Sequence, residues 1–265
     1  MTNSDHASGI GAPVFLRRVD ELTPASDIIW LLALISGLTC TMAAAFIFPF
    51  TPTGKFLVYA TVLTRACLYL WSSEALRGRG GETIAALFKI GIVAGLFELL
   101  VDWGLINWVA NGRLVYLTGS DVIFLGSPVW MPLAWACVVV EMGYPSLRLF
   151  GFFRRRMAPR LAGVMASLLT GCAAAITVGF YEFFAYRANW WRYEKANVML
   201  GDFCALYIPL GEFFMFLVIL PIAATALSQE DRRLAPFIAG GALFATSIAL
   251  GYSVAYLLLE AGRVP

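Results

Sequence analysis

CALYIPLGEFFMFLVILPIAATAL (204–227) carries a single charged residue, Glu212. A helix needs roughly 20 apolar residues to cross the hydrocarbon core of a bilayer, and this run supplies them. Working outward, six more runs of that kind lie near 27–49, 55–72, 84–109, 122–142, 161–185 and 235–259. The 265 residues are 60% hydrophobic and only 14% charged, with a mean hydropathy of +0.77. A soluble domain carries roughly 25% charge. The runs are unbroken, whereas a membrane barrel needs strict alternation. The sequence predicts an all-α polytopic membrane helical bundle of about seven transmembrane helices.

Residues 1–26 are polar and read as a short tail; 27–265 read as a single transmembrane domain. Seven spans put the tail and the even-numbered loops on one side. That side holds Arg17, Arg18, Arg77, Arg79, Arg148, Arg154, Arg155, Arg156, Arg160, Arg232 and Arg233. Lys55, Arg113, Arg187, Arg192, Lys195 and Arg263 fall on the other. The excess of basic residues predicts a cytoplasmic N-terminus and an outer C-terminus, in a polarity that suits a bacterial inner membrane. FFRRRMAPR (152–160) reads as a topology anchor beside membrane lipid and not as a nucleic-acid site. The lone histidine, His6, sits in the tail, and Cys40, Cys67, Cys137, Cys172 and Cys204 fall within spans without a CxxC. No metal or cofactor site is expected: there is no histidine cluster, Gly-rich phosphate loop or DDxxD. A homo-oligomer is compatible with such a bundle.

GLFELLVDWGLINW (95–108) aligns with GFYEFFAYRANWW (179–191), matching Gly95 to Gly179, Glu98 to Glu182 and Asp102 to Tyr186. Each segment leads into a loop with a glycine and an aspartate, Gly119 and Asp121 in one, Gly201 and Asp202 in the other. WMPLAWACVV (130–139) then aligns with YIPLGEFFMF (207–216), pairing Pro132 with Pro209 and Trp135 with Glu212. This predicts a parallel internal repeat of a two-helix hairpin, about 84–142 and about 161–227. An even number of spans separates equivalent positions, so both copies enter from the same side, unlike inverted transporter repeats.

Ionisable groups inside a membrane mark functional sites facing the bundle interior. Glu212, Glu98, Glu182 and Asp102 are such groups, and Glu98 and Asp102, one turn apart, share a face. Lys89 and Arg65 are the only bases within spans, too few to neutralise them. A carboxyl enclosed by hydrocarbon favours its neutral form and can donate a proton. Trp103, Trp130, Trp135, Tyr186, Trp190 and Phe213, with Asn107 and Asn189, are the expected substrate contacts. Aromatic faces stabilise a passing cation, although belt or core packing would also explain each ring. Glu141, Glu74 and Glu260 fall at span ends, where exposure accounts for them.

IPLGEFFMF (208–216) resembles the P-x-E-E-x-x-F-F signature of the membrane-integral lycopene cyclase domain. GSPVWMPLAW (126–135) is similar to the proline–tryptophan segment of bacterial carotenoid hydratases. Small fungal meroterpenoid cyclases belong to the same circle. The resemblance spans roughly 84–227, and only Glu212 carries over by motif. Gly211 stands where the family has its first glutamate, and Ala134 and Trp135 stand where the first repeat would have two acids. It implies an isoprenoid- or carotenoid-modifying enzyme, a cyclase, hydratase or isomerase, that protonates a double bond or epoxide of a hydrophobic substrate without a cofactor. Two other readings stay open. One is a proton-coupled carrier, against which the spans lack paired Gly/Pro interruptions at matching mid-helix sites. The other is a non-catalytic lipid-binding membrane subunit.

Overall fold

The structure, a computed structural model, describes residues 11–117, 121–228 and 234–261, with side chains from Val14 onward. His6 and the rest of 1–10, with Gly119, Arg232, Arg233 and Arg263, lie outside the described residues. Among the described residues six helices are long and apolar enough to cross a membrane: Pro24–Ile47, Gly81–Asn107, Met131–Arg154, Pro159–Arg187, Tyr207–Leu227 and Ala235–Leu259. The chain is an all-α polytopic membrane bundle.

In chain order, α1 (Gly11–Asp20) lies ahead of α2 (Pro24–Met42), which ends in a π-helical turn at Ala43–Ile47. Then come α3 (Pro52–Ala75), α4 (Gly81–Asn107), three short strands β1 (Arg113–Tyr116), β2 (Ile123–Phe124) and β3 (Ser127–Pro128), and α5 (Met131–Arg154). The second half repeats the order with α6 (Pro159–Arg187), β4 (Trp191–Glu194), β5 (Met199–Leu200), β6 (Cys204–Ala205), α7 (Tyr207–Phe216) and α8 (Ile219–Leu227), and α9 (Ala235–Leu259) closes the bundle. The expected polar tail is therefore partly helical: α1 buries Val14, Phe15 and Val19 against the bundle while Arg18 pairs with Glu82.

Polarity is arranged for a lipid solvent. The seventh expected span, 55–72, lies in α3, which has the length but is less apolar than the other six. It turns Thr61, Arg65, Tyr69 and Ser72 inward, at helical spacing, and leaves Phe56, Leu63, Leu70 and Trp71 exposed. Apolar side chains outside and hydrogen-bonded polar ones inside are what a hydrocarbon surround demands.

The internal repeat is present in three dimensions. β1 and β4 start 78 positions apart, at 113 and 191, and pair antiparallel, Arg113 opposite Glu194 and Tyr116 opposite Trp191. Each of these strands is followed by a small hairpin, β2–β3 in one copy and β5–β6 in the other, ahead of the next helix. The loops of the two copies contain short paired strands, which satisfy backbone groups at the end of a tightly packed bundle.

Small residues set the helix spacing. A Cβ on Gly95 would stand 2.6 Å from Pro132 Cα, and one on Gly91 2.6 Å from Ala136 Cα, so α4 and α5 touch backbone to backbone. α9 fits between α4 and α7, with Gly251 against the Gly211 carbonyl. The helix begun at Tyr207 breaks at Leu217–Val218, since Pro221 has no N–H for the Leu217 carbonyl. In α5 the helix continues through Pro145, so the break has no counterpart in the first copy.

Candidate active site: an acid-lined cavity

A cavity of about 470 Å³ opens between the two hairpins, within the range of small-molecule pockets. Glu98 and Asp102 reach it from α4, Glu182 from α6 and Glu212 from α7. All four are at most 5% exposed. Trp130, Trp135, Tyr181 and Trp191 supply aromatic wall, and the β1–β4 ribbon roofs one end with Leu114, Tyr116 and Tyr193.

The four carboxyls differ in how they are held. Tyr116 and Ser127 hydroxyls both donate to Asp102 Oδ2, the latter at 2.7 Å. Trp191 Nε1 donates to Glu182 Oε2 at 2.7 Å. Tyr116 and Trp191 face each other across the ribbon, so one cross-strand pair delivers both donors. Burial, with Asp102 beside it, holds the Tyr116 phenol well above its usual range, so it stays a donor. On α9, Tyr252 donates to Glu212 Oε1 at 2.7 Å. Glu212 Oε2 and Glu98 Oε2 are buried and have no partner among the described residues. An orphaned buried oxygen costs roughly 1–3 kcal/mol, which selection tolerates where the group has a use.

Tyr252 also accounts for Gly211. A Cβ there would stand 2.3 Å from the Tyr252 ring, so a side chain at 211 would displace the phenol from Glu212.

Of the residues singled out from sequence, Glu98, Asp102, Glu182, Glu212, Trp130 and Trp135 line the cavity. The others stand away from it. Trp103 packs edge-on against Trp108 at 4.6 Å, and Asn107 bonds the Trp103 carbonyl at the end of α4. Tyr186 is half-buried on α6 beyond the cavity, and Asn189 (φ 62°) turns the chain after that helix. Trp190 is buried but bonds the Gly54 carbonyl at 3.1 Å, fastening α3. Phe213 packs edge-on against Phe214 at 5.6 Å, its carbonyl facing Gly171. Helical rotation turns Trp103 and Phe213 away, each next to a lining acid, while Tyr186, Asn189 and Trp190 lie at or beyond the end of α6.

Two acids explained from sequence by exposure are buried. Glu141 is 7% exposed and paired to Arg65 at 2.6 Å on the cavity wall, because α5 runs on to Arg154 and leaves it mid-helix. Glu260 is 1% exposed and accepts from the Asn197 and Val198 amides. Glu74, by contrast, is exposed and paired with Arg77. Sequence reasoning also missed Tyr116, Ser127 and Tyr252. A phenol inside the apolar run 235–259 was the available signal for Tyr252.

The cavity has a side opening. Leu38 and Met42 of α2 and Phe180 of α6 line it and are also 47%, 43% and 65% exposed on the lipid-facing surface.

Fold and site together define a polytopic membrane protein with an acid-lined apolar cavity at the interface of a duplicated hairpin. Residues 99–259 match the family described as Domain of unknown function (DUF6989), and the chain belongs to that family. No curated protein and no solved structure matches it.

Proposed function

We propose that this protein is a membrane-integral enzyme that protonates a carbon–carbon double bond (or epoxide) of an isoprenoid or carotenoid and directs the resulting cation to cyclisation or hydration. The observation that carries the reading is the pair of unpartnered carboxyl oxygens, Glu98 Oε2 and Glu212 Oε2, on an aromatic-walled cavity. Glu212 is the proton donor: Tyr252 fixes one oxygen and leaves the other to carry the proton. As its O–H bond breaks, the π pair of the alkene forms the new C–H bond and a carbocation is left. The Trp130, Trp135 and Trp191 faces stabilise that charge. A second double bond then adds to the cation and a proton leaves to a carboxylate, giving an isomer. Alternatively water adds, giving an alcohol. Glu98 serves as base or water-positioning group, while Asp102 and Glu182, each held by donors, present fixed oxygens to the cation.

The resemblance of 208–216 to the lycopene cyclase signature supports the same reading, and the space taken by Tyr252 gives a physical cause for Gly211 in place of the first glutamate. The side opening suits a substrate arriving from the bilayer. Arg148 and Arg154, bonded to Asp27 and Asp20 beside α1, favour placing that end, with the N-terminus, in the cytoplasm, and the ribbons outside. A bacterial inner membrane fits this polarity.

The test is lipid mass spectrometry on a host making linear isoprenoids and carotenoids, with and without the protein and with Glu212→Gln. A new product of unchanged mass, or heavier by water, that is lost in the variant supports the assignment. A fully active variant removes Glu212 as donor. The broken α7–α8 helix favours a second reading, a proton-coupled carrier of a hydrophobic substrate. That reading predicts proton uptake with substrate movement and unchanged lipids.

A further inference from the structure

The cavity has a second polar station that the proposed protonation does not use. Arg65 and Glu141 line its inner part, with side chains 7% and 9% exposed. Arg65 Nη1 donates to Glu141 Oε1 at 2.6 Å and Nε to the Thr61 carbonyl at 3.2 Å; Tyr69 donates to the same Glu141 oxygen at 3.3 Å. Among the described residues this leaves Arg65 Nη2 and Glu141 Oε2 without a protein partner. A buried ion pair contributes little stability, and apolar replacements are often neutral or better. A pair on a cavity wall with one donor and one acceptor open is suited to a ligand.

The chemistry of that ligand follows from the pair. Its charges cancel, so an anionic head would meet the Glu141 carboxylate and a cationic one the Arg65 guanidinium. A neutral hydroxyl satisfies both, accepting from Arg65 and donating to Glu141. Distance sets the chain. Gly95 packs on Pro132 and Gly91 on Ala136, so along the antiparallel α4 and α5 Glu141 lies level with residue 86, twelve residues below Glu98. At the rise of an α-helix that is on the order of 18 Å.

We infer that the Arg65–Glu141 pair grips the hydroxyl head of an isoprenoid alcohol of sesquiterpenoid length, whose far double bond lies against Glu98 and Glu212. The inference rests on the proposed function in taking an isoprenoid chain as the occupant. It narrows the substrate from long hydrocarbons to one-headed amphiphiles.

The experiment is tryptophan-fluorescence titration of the full chain in lipid nanodiscs with farnesol, farnesyl methyl ether and the hydrocarbon farnesene. Wild type should bind farnesol about tenfold more tightly than farnesene, the worth of a hydrogen bond to a charged group. It should bind the methyl ether several-fold more weakly than the alcohol, because the ether cannot donate to Glu141. The double variant Arg65→Met/Glu141→Leu should fold, bind farnesene as before, and hold farnesol and farnesene within about twofold of each other. Equal binding of alcohol and ether by wild type overturns the inference without relying on any variant, as does an unchanged alcohol preference in the double variant. Farnesene binding without preference leaves the protonation reading standing. Failure of all three probes to bind overturns the inference, while the protonation reading, which also covers longer chains, is tested separately by the lipid products.

Discussion

The two hairpins begin from one plan and finish with different chemistry. In the first, α4 presses on α5 through Gly91 and Gly95, Glu98 is left with a free oxygen, and Asp102 is tied down by Tyr116 and Ser127. In the second, Glu182, the counterpart of Glu98, is bound by Trp191, and Tyr186, the counterpart of Asp102, stands away from the cavity. Trp135 occupies in the first copy the place that Glu212 takes in the second, and both face the cavity. Duplication places side chains at equivalent depths around an axis; divergence then makes one an aromatic wall and the other an acid. A symmetric pair of acids would repel. The asymmetric set gives one donor, one free acceptor and two fixed oxygens.

This contrast can be broken at its twin positions. Among these twin substitutions the largest effect is expected for Glu98→Gln, which should lower turnover about 100-fold, within the range for a general acid or base. Glu182→Gln should cost about tenfold, since its oxygen is already committed to Trp191; product formation in membranes checks both. Equal losses would mean that the free oxygen is not what distinguishes the copies.

The glycine twins come next. Gly95→Ala places a Cβ 2.6 Å from Pro132 Cα and should destabilise by about 1–3 kcal/mol. Gly179→Ala meets only the Leu200 tip at 3.5 Å and should be neutral or stabilise by about 0.5–1 kcal/mol through helix propensity. Thermal unfolding in nanodiscs separates them, and a stable Gly95→Ala would show that the α4–α5 contact can relax.

Tyr252→Phe removes the donor to Glu212 without a change of shape. It should reduce turnover by about tenfold, the value of one hydrogen bond to a charged or reacting group, with little change in melting temperature. The smallest effect is expected for Tyr186→Phe, away from the cavity. Its turnover should equal wild type, and a loss there would place the second copy's polar position in the site after all.

Much of the fold was legible because lipid imposes a simple code. Apolar runs gave the spans, and matched Gly, Glu and Pro positions gave the repeat. The seventh expected span is the exception: α3 has the length but is not among the described helices apolar enough to cross, and its polar residues, Arg65 among them, share one face. The acids were legible for the same reason: a carboxyl in a hydrocarbon run has little other explanation. What the sequence hid depends on rotation and on distant partners. Trp103 and Trp190 look like Trp130 and Trp135 in sequence, yet helix phase and local packing turn them away from the cavity. Glu141 was misread because the polar stretch after it resembled a span end, whereas α5 continues through Pro145. Tyr116, Trp191 and Tyr252 act through contacts set by strand register and by the seating of α9, neither of which leaves a local signal.

The central claim is that Glu212 delivers a proton to carbon, and isotope transfer tests it most directly. Membranes holding the protein are supplied with a linear isoprenoid in D2O, and the products are analysed by mass spectrometry. Donation by Glu212 predicts carbon-bound deuterium in the product, absent with Glu212→Gln. A product formed without carbon-bound deuterium, or labelled equally by the variant, would contradict it.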